Sequence, residues 1–144
     1  MKIYIGTDHA GFDLKETIKS HLISKGHTVE DLGAFEKVET DDYPDFVVPV
    51  AEKVSRDPES FGIVLGGSGQ GEAMAVNRVR DIRATVFYGG PQEIVEISRE
   101  HNNANILSIG ARFVNENEAI QAVDTFIETP FSADERHIRR INKF

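Results

Sequence analysis

The chain has 144 residues, 40% of them hydrophobic, enough for one core that buries about 70% of the surface of the unfolded chain. A net charge of −8 argues against a general binder of nucleic acid or of a membrane surface, and leaves small anionic ligands open where basic residues cluster locally. The absence of cysteine excludes disulfides, thiolate catalysis and Cys-ligated metals. With a start that reads directly as a strand and no membrane-length apolar run, the expected location is the cytoplasm.

Apolar runs alternate with amphipathic segments, the pattern of βαβ units around a buried parallel sheet. The first strand is predicted over Ile3–Thr7, followed by a helix from about Phe12 to Lys25 with Leu14, Ile18, Leu22 and Ile23 on one stripe and Gly26 at its C′ position. Thr28–Asp31 is the second strand. Glu36–Asp45, with five acids around Tyr43-Pro44, reads as one long polar loop. A helix over Phe46–Ser55 follows, in which Pro49 is tolerable only near the first turn. Ile63–Leu65 is the third strand, and Gly66 to Gly71 lead into a short helix, Glu72–Arg78. Ala84–Tyr88, a helix over Gln92–His101 and a strand over Ile106–Ile109 complete the alternation. Asn115 with Glu118 forms a cap and its N3 partner for a helix reaching about Ile127. After Pro130, Ser132 with Glu135 reads as a capping box that opens a terminal helix, Ala133–Lys143, whose few apolar residues suit docking on a partner subunit.

The segment Gly66-Gly67-Ser68-Gly69-Gln70-Gly71-Glu72 carries the strongest chemical signal. Glycines let successive N–H groups turn inward, and a helix start adds unpaired donors, so strand, loop and helix together stabilise an anion. The loop fits neither common nucleotide motif. A P-loop needs Lys and Ser/Thr where Glu72-Ala73 stand, and the dinucleotide fingerprint lacks its third glycine and its ribose-binding acid. Glu72, a carboxylate beside an anion site, is instead suited to removing a proton.

Asp8-His9 follows the first strand at the end where open parallel sheets place ligands, although Asp8 also reads as a simple helix cap. His101 ends a helix, where a structural role is equally open, and Arg112 follows the fifth strand as a possible surface charge. Arg136 and Arg140 stand i,i+4 with no acid between them, which puts two guanidinium groups on one helix face and suits a phosphate. His21 and His27 read as structural. A base at an oxyanion-stabilising loop, an Asp-His pair, another His and paired arginines together imply proton transfer beside the carbonyl of a sugar phosphate, an aldose–ketose isomerisation.

Gly6-Thr7-Asp8-His9-Ala10-Gly11-Phe12, Asp42-Tyr43-Pro44, the Gly66 to Glu72 loop with Asn77, Arg99-Glu100-His101-Asn102-Asn103-Ala104 and Arg136-His137-Ile138-Arg139-Arg140 resemble, in order and over nearly the whole chain, the ribose-5-phosphate isomerase B family, which includes galactose-6-phosphate isomerases. The resemblance implies a Rossmann-like α/β/α sandwich with a five-stranded parallel sheet, spanning residues 1–144 as a single domain. It implies interconversion of ribose 5-phosphate and ribulose 5-phosphate with no metal or cofactor, by a homodimer or tetramer with active sites shared between subunits. By position, Glu72 is the base and His101 assists ring opening. Asp8, Tyr43 and Asn102 face the sugar. Gly67, Ser68, Gly69, Gln70 and Gly71 form the anion hole, and His9, Arg112, Arg136 and Arg140 hold the phosphate, some from the partner. One branch of the family carries a cysteine base where this chain has Gly66, whereas Glu72 is similar to the glutamate branch. The Gly89-Gly90-Pro91 connection looks slightly longer than usual. A six-carbon sugar phosphate as substrate, or sugar-phosphate binding without turnover, are the alternatives.

Overall fold

The computed structural model describes residues 1–144. In chain order the elements are β1 (Lys2–Thr7), α1 (Phe12–Ser24), β2 (Thr28–Asp31), α2 (Pro44–Arg56), β3 (Phe61–Gly66), α3 (Gln70–Val76), β4 (Ala84–Phe87), α4 (Glu93–Glu100), β5 (Ile106–Gly110), α5 (Glu116–Glu128) and α6 (Glu135–Ile141). A single 3₁₀ turn, His9–Gly11, joins β1 to α1. All four strand pairings are parallel, in the order β2-β1-β3-β5-β4.

Both faces of the sheet are covered, which explains strands that are apolar on both sides. Ile3, Ile5, Ile63, Leu65, Leu107 and Ile109 point to one face, against Ile18 and Leu22 of α1, Val95 of α4 and Ala122, Val123 and Phe126 of α5. Tyr4, Val64 and Ile106 point to the other, against Val47, Val50 and Val54 of α2 and Val76 of α3. The layers are therefore α/β/α. No helix is long and apolar enough to cross a membrane.

β1 lies between β2 and β3, so the connections leaving and returning to its neighbourhood diverge on either side of it. Such a reversal opens a crevice at the carboxyl ends of the strands. The register then decides what lines that crevice. Thr7 pairs with Leu65, and Gly66 with Gly110, which sets Asp8, the glycine loop and Ala111-Arg112 side by side.

The ends of the elements follow local chemistry. Gly26, at φ 87°, closes α1, with His27 N–H donating to the Leu22 carbonyl and Gly26 N–H to that of Ile23, a Schellman ending. Asn115 and Glu118 form the expected reciprocal capping box of α5 at 2.9 Å in both directions.

Three expectations are corrected. α2 begins at Pro44, not Phe46, so Pro49 lies in its interior beyond the first turn. Burial of Val47, Val50, Ala51 and Val54, about 1.5–3 kcal/mol for each valine, outweighs the roughly 3 kcal/mol cost of an interior proline. The Ser132–Glu135 box does not form: Ala133 takes a φ of 55°, Asp134 becomes the N-cap, and the Ser132 hydroxyl accepts the Asp134 N–H at 3.3 Å instead. β4 stops at Phe87, short of Tyr88, ahead of Gly89 and Gly90 with φ of 104° and 97°.

Candidate active site

At the crevice between β1 and β3 the chain forms a cleft of about 610 Å³ lined by Asp8, His9, Ala10, Tyr43, Gly67, Ser68, Gly71, Glu72, Arg112 and Phe113, within the range of small-molecule sites. Asp8, 6% exposed, accepts the Ala10 N–H at 2.9 Å, so it caps the turn and still faces the cleft. Tyr43 stands immediately before α2, with its hydroxyl over Gly71, where a Cβ would come within 2.6 Å of it.

Glu72 is 4% exposed and lies in the first turn of α3. Its carboxylate rests on the backbone of Gly66: a Cβ there would fall 1.7 Å from Oε1 and 2.1 Å from Cδ. Burial pushes the Glu72 carboxyl above its ordinary value of 4.5, the Glu72 and Gly69 N–H groups pull it back, and the Asp8 charge adds to the rise. A carboxylate so placed is a stronger base than a solvated one.

Of the five loop residues expected around an anion, Gly67, Ser68 and Gly71 line the cleft, whereas Gly69 and Gln70 do not. Gly69, at φ 75°, packs inward, where a Cβ would meet Gly110 N and Ile109 C at 3.0 Å, and its carbonyl accepts the Ser108 hydroxyl at 2.7 Å. Gln70 is exposed at the start of α3. Arg112 stacks over Gly67, with Nη1 3.1 Å from where a Cβ would stand. Its N–H donates to the Gly67 carbonyl, and its exposed guanidinium has no carboxylate partner. An unpaired guanidinium lining a cleft beside a glycine-rich loop is suited to a phosphate.

The remaining expected residues gather elsewhere. His101 caps the end of α4 and stacks on His137 of α6, with ring centroids 4.3 Å apart and 14° between planes. Arg136 and Arg140 flank His137 on α6, both exposed, and Arg136 reaches Asp134 only at 3.8 Å. Asn102 lines a separate cavity with Asn77, Thr85, Ser98 and Phe144. None of these four lines the Glu72 cleft, so one chain carries the expected site as two separate pieces.

Two residues that reasoning from the sequence missed belong to these pieces. Asp41 holds His9 through one carboxylate oxygen, and His137, 4% exposed, backs His101. Burial, then the facing His101 ring and the neighbouring arginines, lower the His137 pKa. Asp41 was one acid among five in a polar loop, and nothing in a linear sequence marks the one that reaches residue 9.

Asp8, His9 and Asp41 also bring three metal-capable atoms within 4.8 Å of one another. One oxygen of each acid and one ring nitrogen are engaged in hydrogen bonds: Asp41 Oδ1 with the His9 ring Nδ1 and N–H, Asp8 Oδ1 with the Ala10 N–H. Asp41 Oδ2, buried, has no hydrogen-bond partner, so the trio is satisfied only in part.

A doubly wound α/β sheet with a buried carboxylate, a glycine-rich loop and an unpaired guanidinium lining a cleft at its switch point defines an acid–base enzyme for a small anionic substrate. The comparisons with known proteins narrow this. The chain belongs to the ribose/galactose isomerase family, whose profile matches residues 3–144. It is 46% identical over 142 residues to ribose-5-phosphate isomerase B of Mycolicibacterium paratuberculosis, covering 99% of this chain and 88% of that one. Among solved structures, ribose-5-phosphate isomerase B of Mycoplasma genitalium with bound ribulose-5-phosphate superposes with a TM-score of 0.94 at 39% identity, covering 99% and 92%. The ribose 5-phosphate isomerase of Thermotoga maritima gives 0.91 at 43% identity, covering 99% and 95%.

Proposed function

We propose that this chain is an aldose–ketose isomerase interconverting D-ribose 5-phosphate and D-ribulose 5-phosphate by metal-independent proton transfer, and that Glu72 is its base. The observation that carries the assignment of the base is the buried Glu72 carboxylate, raised in pKa and seated against Gly66 within a cleft that also holds Asp8, His9 and Arg112. In the open-chain aldose Glu72 takes the proton from C2 and the electron pair forms the C1–C2 double bond, with charge moving onto the carbonyl oxygen. The N–H groups of Gly67, Ser68 and Gly71 stabilise that oxygen as its charge develops. The proton of the C2 hydroxyl passes to the C1 oxygen, Glu72 returns its own proton to C1 as the C1–C2 double bond opens, and the C2 oxygen becomes the ketone. Asp8 and Tyr43 hold the sugar hydroxyls, and His9 and Arg112 hold the phosphate.

His101, Asn102, Arg136 and Arg140 enter from a second copy of the chain, His101 moving the ring-opening proton, Asn102 facing the sugar and the arginines closing on the phosphate. Their absence from the lining of the Glu72 cleft supports this reading, as does the exposure of Ile138 and Phe144 on and beyond α6, which suits docking on a partner. Residues 1–144 then act as one domain in a homodimer or a pair of dimers, a cytoplasmic enzyme of carbohydrate metabolism. The test of substrate is kcat/KM in EDTA for ribose 5-phosphate against allose 6-phosphate and galactose 6-phosphate. Preference for the five-carbon substrate is expected; a higher value for either six-carbon phosphate overturns the assignment.

A further inference from the structure

Asp41 sits in the loop between β2 and α2, far in sequence from the strand end it serves. Its Oδ1 accepts both the backbone N–H of His9 at 3.1 Å and a hydrogen bond with the ring Nδ1 at 2.6 Å. Asp41 is itself tied down, its N–H donating to the Val38 carbonyl at 3.0 Å. The Asp8 carboxylate, by contrast, is 3.9 Å from the same ring nitrogen, beyond hydrogen-bond reach. The two acids beside His9 therefore divide the work: one grips the imidazole, and the other is left facing the cleft.

We infer that Asp41 is a positioning residue for substrate binding, fixing the His9 ring and its tautomer so that Nε2 is the nitrogen presented to the ligand's phosphate. The geometry determines two things at once. A single oxygen bonded to the main chain and to the ring of one histidine fixes both side-chain torsions relative to the backbone, so the ring does not have to be ordered when substrate arrives. Because Nδ1 is the nitrogen that faces a carboxylate, the proton is held there, and Nε2, which has no protein partner, is the atom that meets the ligand. In the imidazolium that atom carries the second N–H, a charge-assisted donor to an anionic oxygen. The inference rests on the assignment of His9 to the phosphate made above.

The test has two arms. In the first, kcat and KM for ribose 5-phosphate, and inhibition by inorganic phosphate, are measured for Asp41→Ala, Asp41→Asn, His9→Ala and the Asp41→Ala/His9→Ala double variant. Asp41→Ala is expected to raise KM about tenfold, as loss of a charge-assisted hydrogen bond does, with a smaller change in kcat. It is expected to add nothing once His9 is alanine. Asp41→Asn keeps an acceptor oxygen in place, guards against loss of the loop fold, and should recover most of the KM. In the second arm, nitrogen-15 spectra of the histidine rings of the free enzyme should show neutral His9 protonated on Nδ1 in wild type and not in Asp41→Ala. Additive effects of Asp41→Ala and His9→Ala, or a wild-type His9 protonated on Nε2, overturn the inference. A His9→Ala variant with unchanged KM and unchanged phosphate inhibition instead overturns the phosphate assignment on which it rests, even with Nδ1 protonated.

Discussion

Replacing Gly66 by alanine should disable the enzyme without unfolding it. The added Cβ would stand 1.7 Å from Glu72 Oε1 and 2.1 Å from its Cδ, against ordinary contacts of 3.4–4 Å, so the carboxylate must retreat by roughly that same distance again. A misplacement of about 1 Å at a reacting group costs on the order of a hundredfold in rate, and complete loss of a general base costs roughly 10²–10⁴-fold. We therefore expect kcat to fall at least about a hundredfold, an added barrier of roughly 2.7 kcal/mol. Stability should change little. Gly66 is not among the glycines at positive φ, and the clashing atoms are the free end of a flexible side chain. The assay is conversion of ribose 5-phosphate in EDTA, with thermal unfolding alongside, for Gly66→Ala, Glu72→Gln and the double variant. The double variant should be no worse than the more impaired single one, because both changes remove the same group from the same place. A Gly66→Ala enzyme with kcat within threefold of wild type would refute the placement of the base.

Four further predictions follow from the same geometry. Because the Glu72 pKa is raised and the base must be ionised, activity should be lost as pH falls through a value above 4.5, and Asp8→Asn should lower the Glu72 pKa, read by carboxyl carbon NMR; a Glu72 that titrates at or below 4.5 contradicts this. The same shift opposes stability, a cost that appears as pH rises through the ordinary carboxyl range and is complete above the raised value. If sites are shared between two subunits as proposed, mixing and reassociating Glu72→Gln with Arg140→Ala, each impaired alone, should restore activity, since one of the two sites in the mixed dimer is then intact; no recovery in a verified mixed dimer would place Arg140 outside a shared site. Gly69→Ala should lower the melting temperature, because residue 69 holds a φ of 75° and its Cβ would press on backbone atoms at 3.0 Å, a cost of at least about 1–2 kcal/mol; an unchanged melting temperature contradicts that. Lys15, fully buried and bonded to Asp31 at 2.7 and 2.8 Å and to the Ala34 carbonyl at 2.9 Å, should cost about 3 kcal/mol when replaced by methionine; denaturant unfolding within 0.5 kcal/mol of wild type, by the usual scale of neutral surface changes, would show the pair to be dispensable.

The sheet was legible because its strands carry apolar side chains on both faces, and the helices because their stripes and end signals are local. Gly26, and the Asn115 and Glu118 pair, act within one turn and were read correctly. The Ser132 and Glu135 pair has the same spacing as a capping box, yet the left-handed Ala133 between them prevents it, and no local rule announces that conformation. Pro49 shows the opposite failure: a local penalty was overridden by four buried neighbours on α2. In the site, Glu72, Asp8 and Arg112 were legible from their positions just beyond strand ends, where the register brings them together. Asp41 and His137 were not, since each acts through a residue 32 or more positions away, His9 and His101 respectively. The inward packing of Gly69 was hidden as well, because it depends on β5 lying against the loop.

The most direct test of the whole account is isomerisation of ribose 5-phosphate in deuterated water with EDTA, by wild type and Glu72→Gln side by side, following both turnover and the entry of solvent deuterium at C1 and C2. Wild type should turn over and take up deuterium, and Glu72→Gln should lose both by at least about a hundredfold. A Glu72→Gln enzyme that isomerises and exchanges at close to the wild-type rate would remove Glu72 as the base and contradict the central claim.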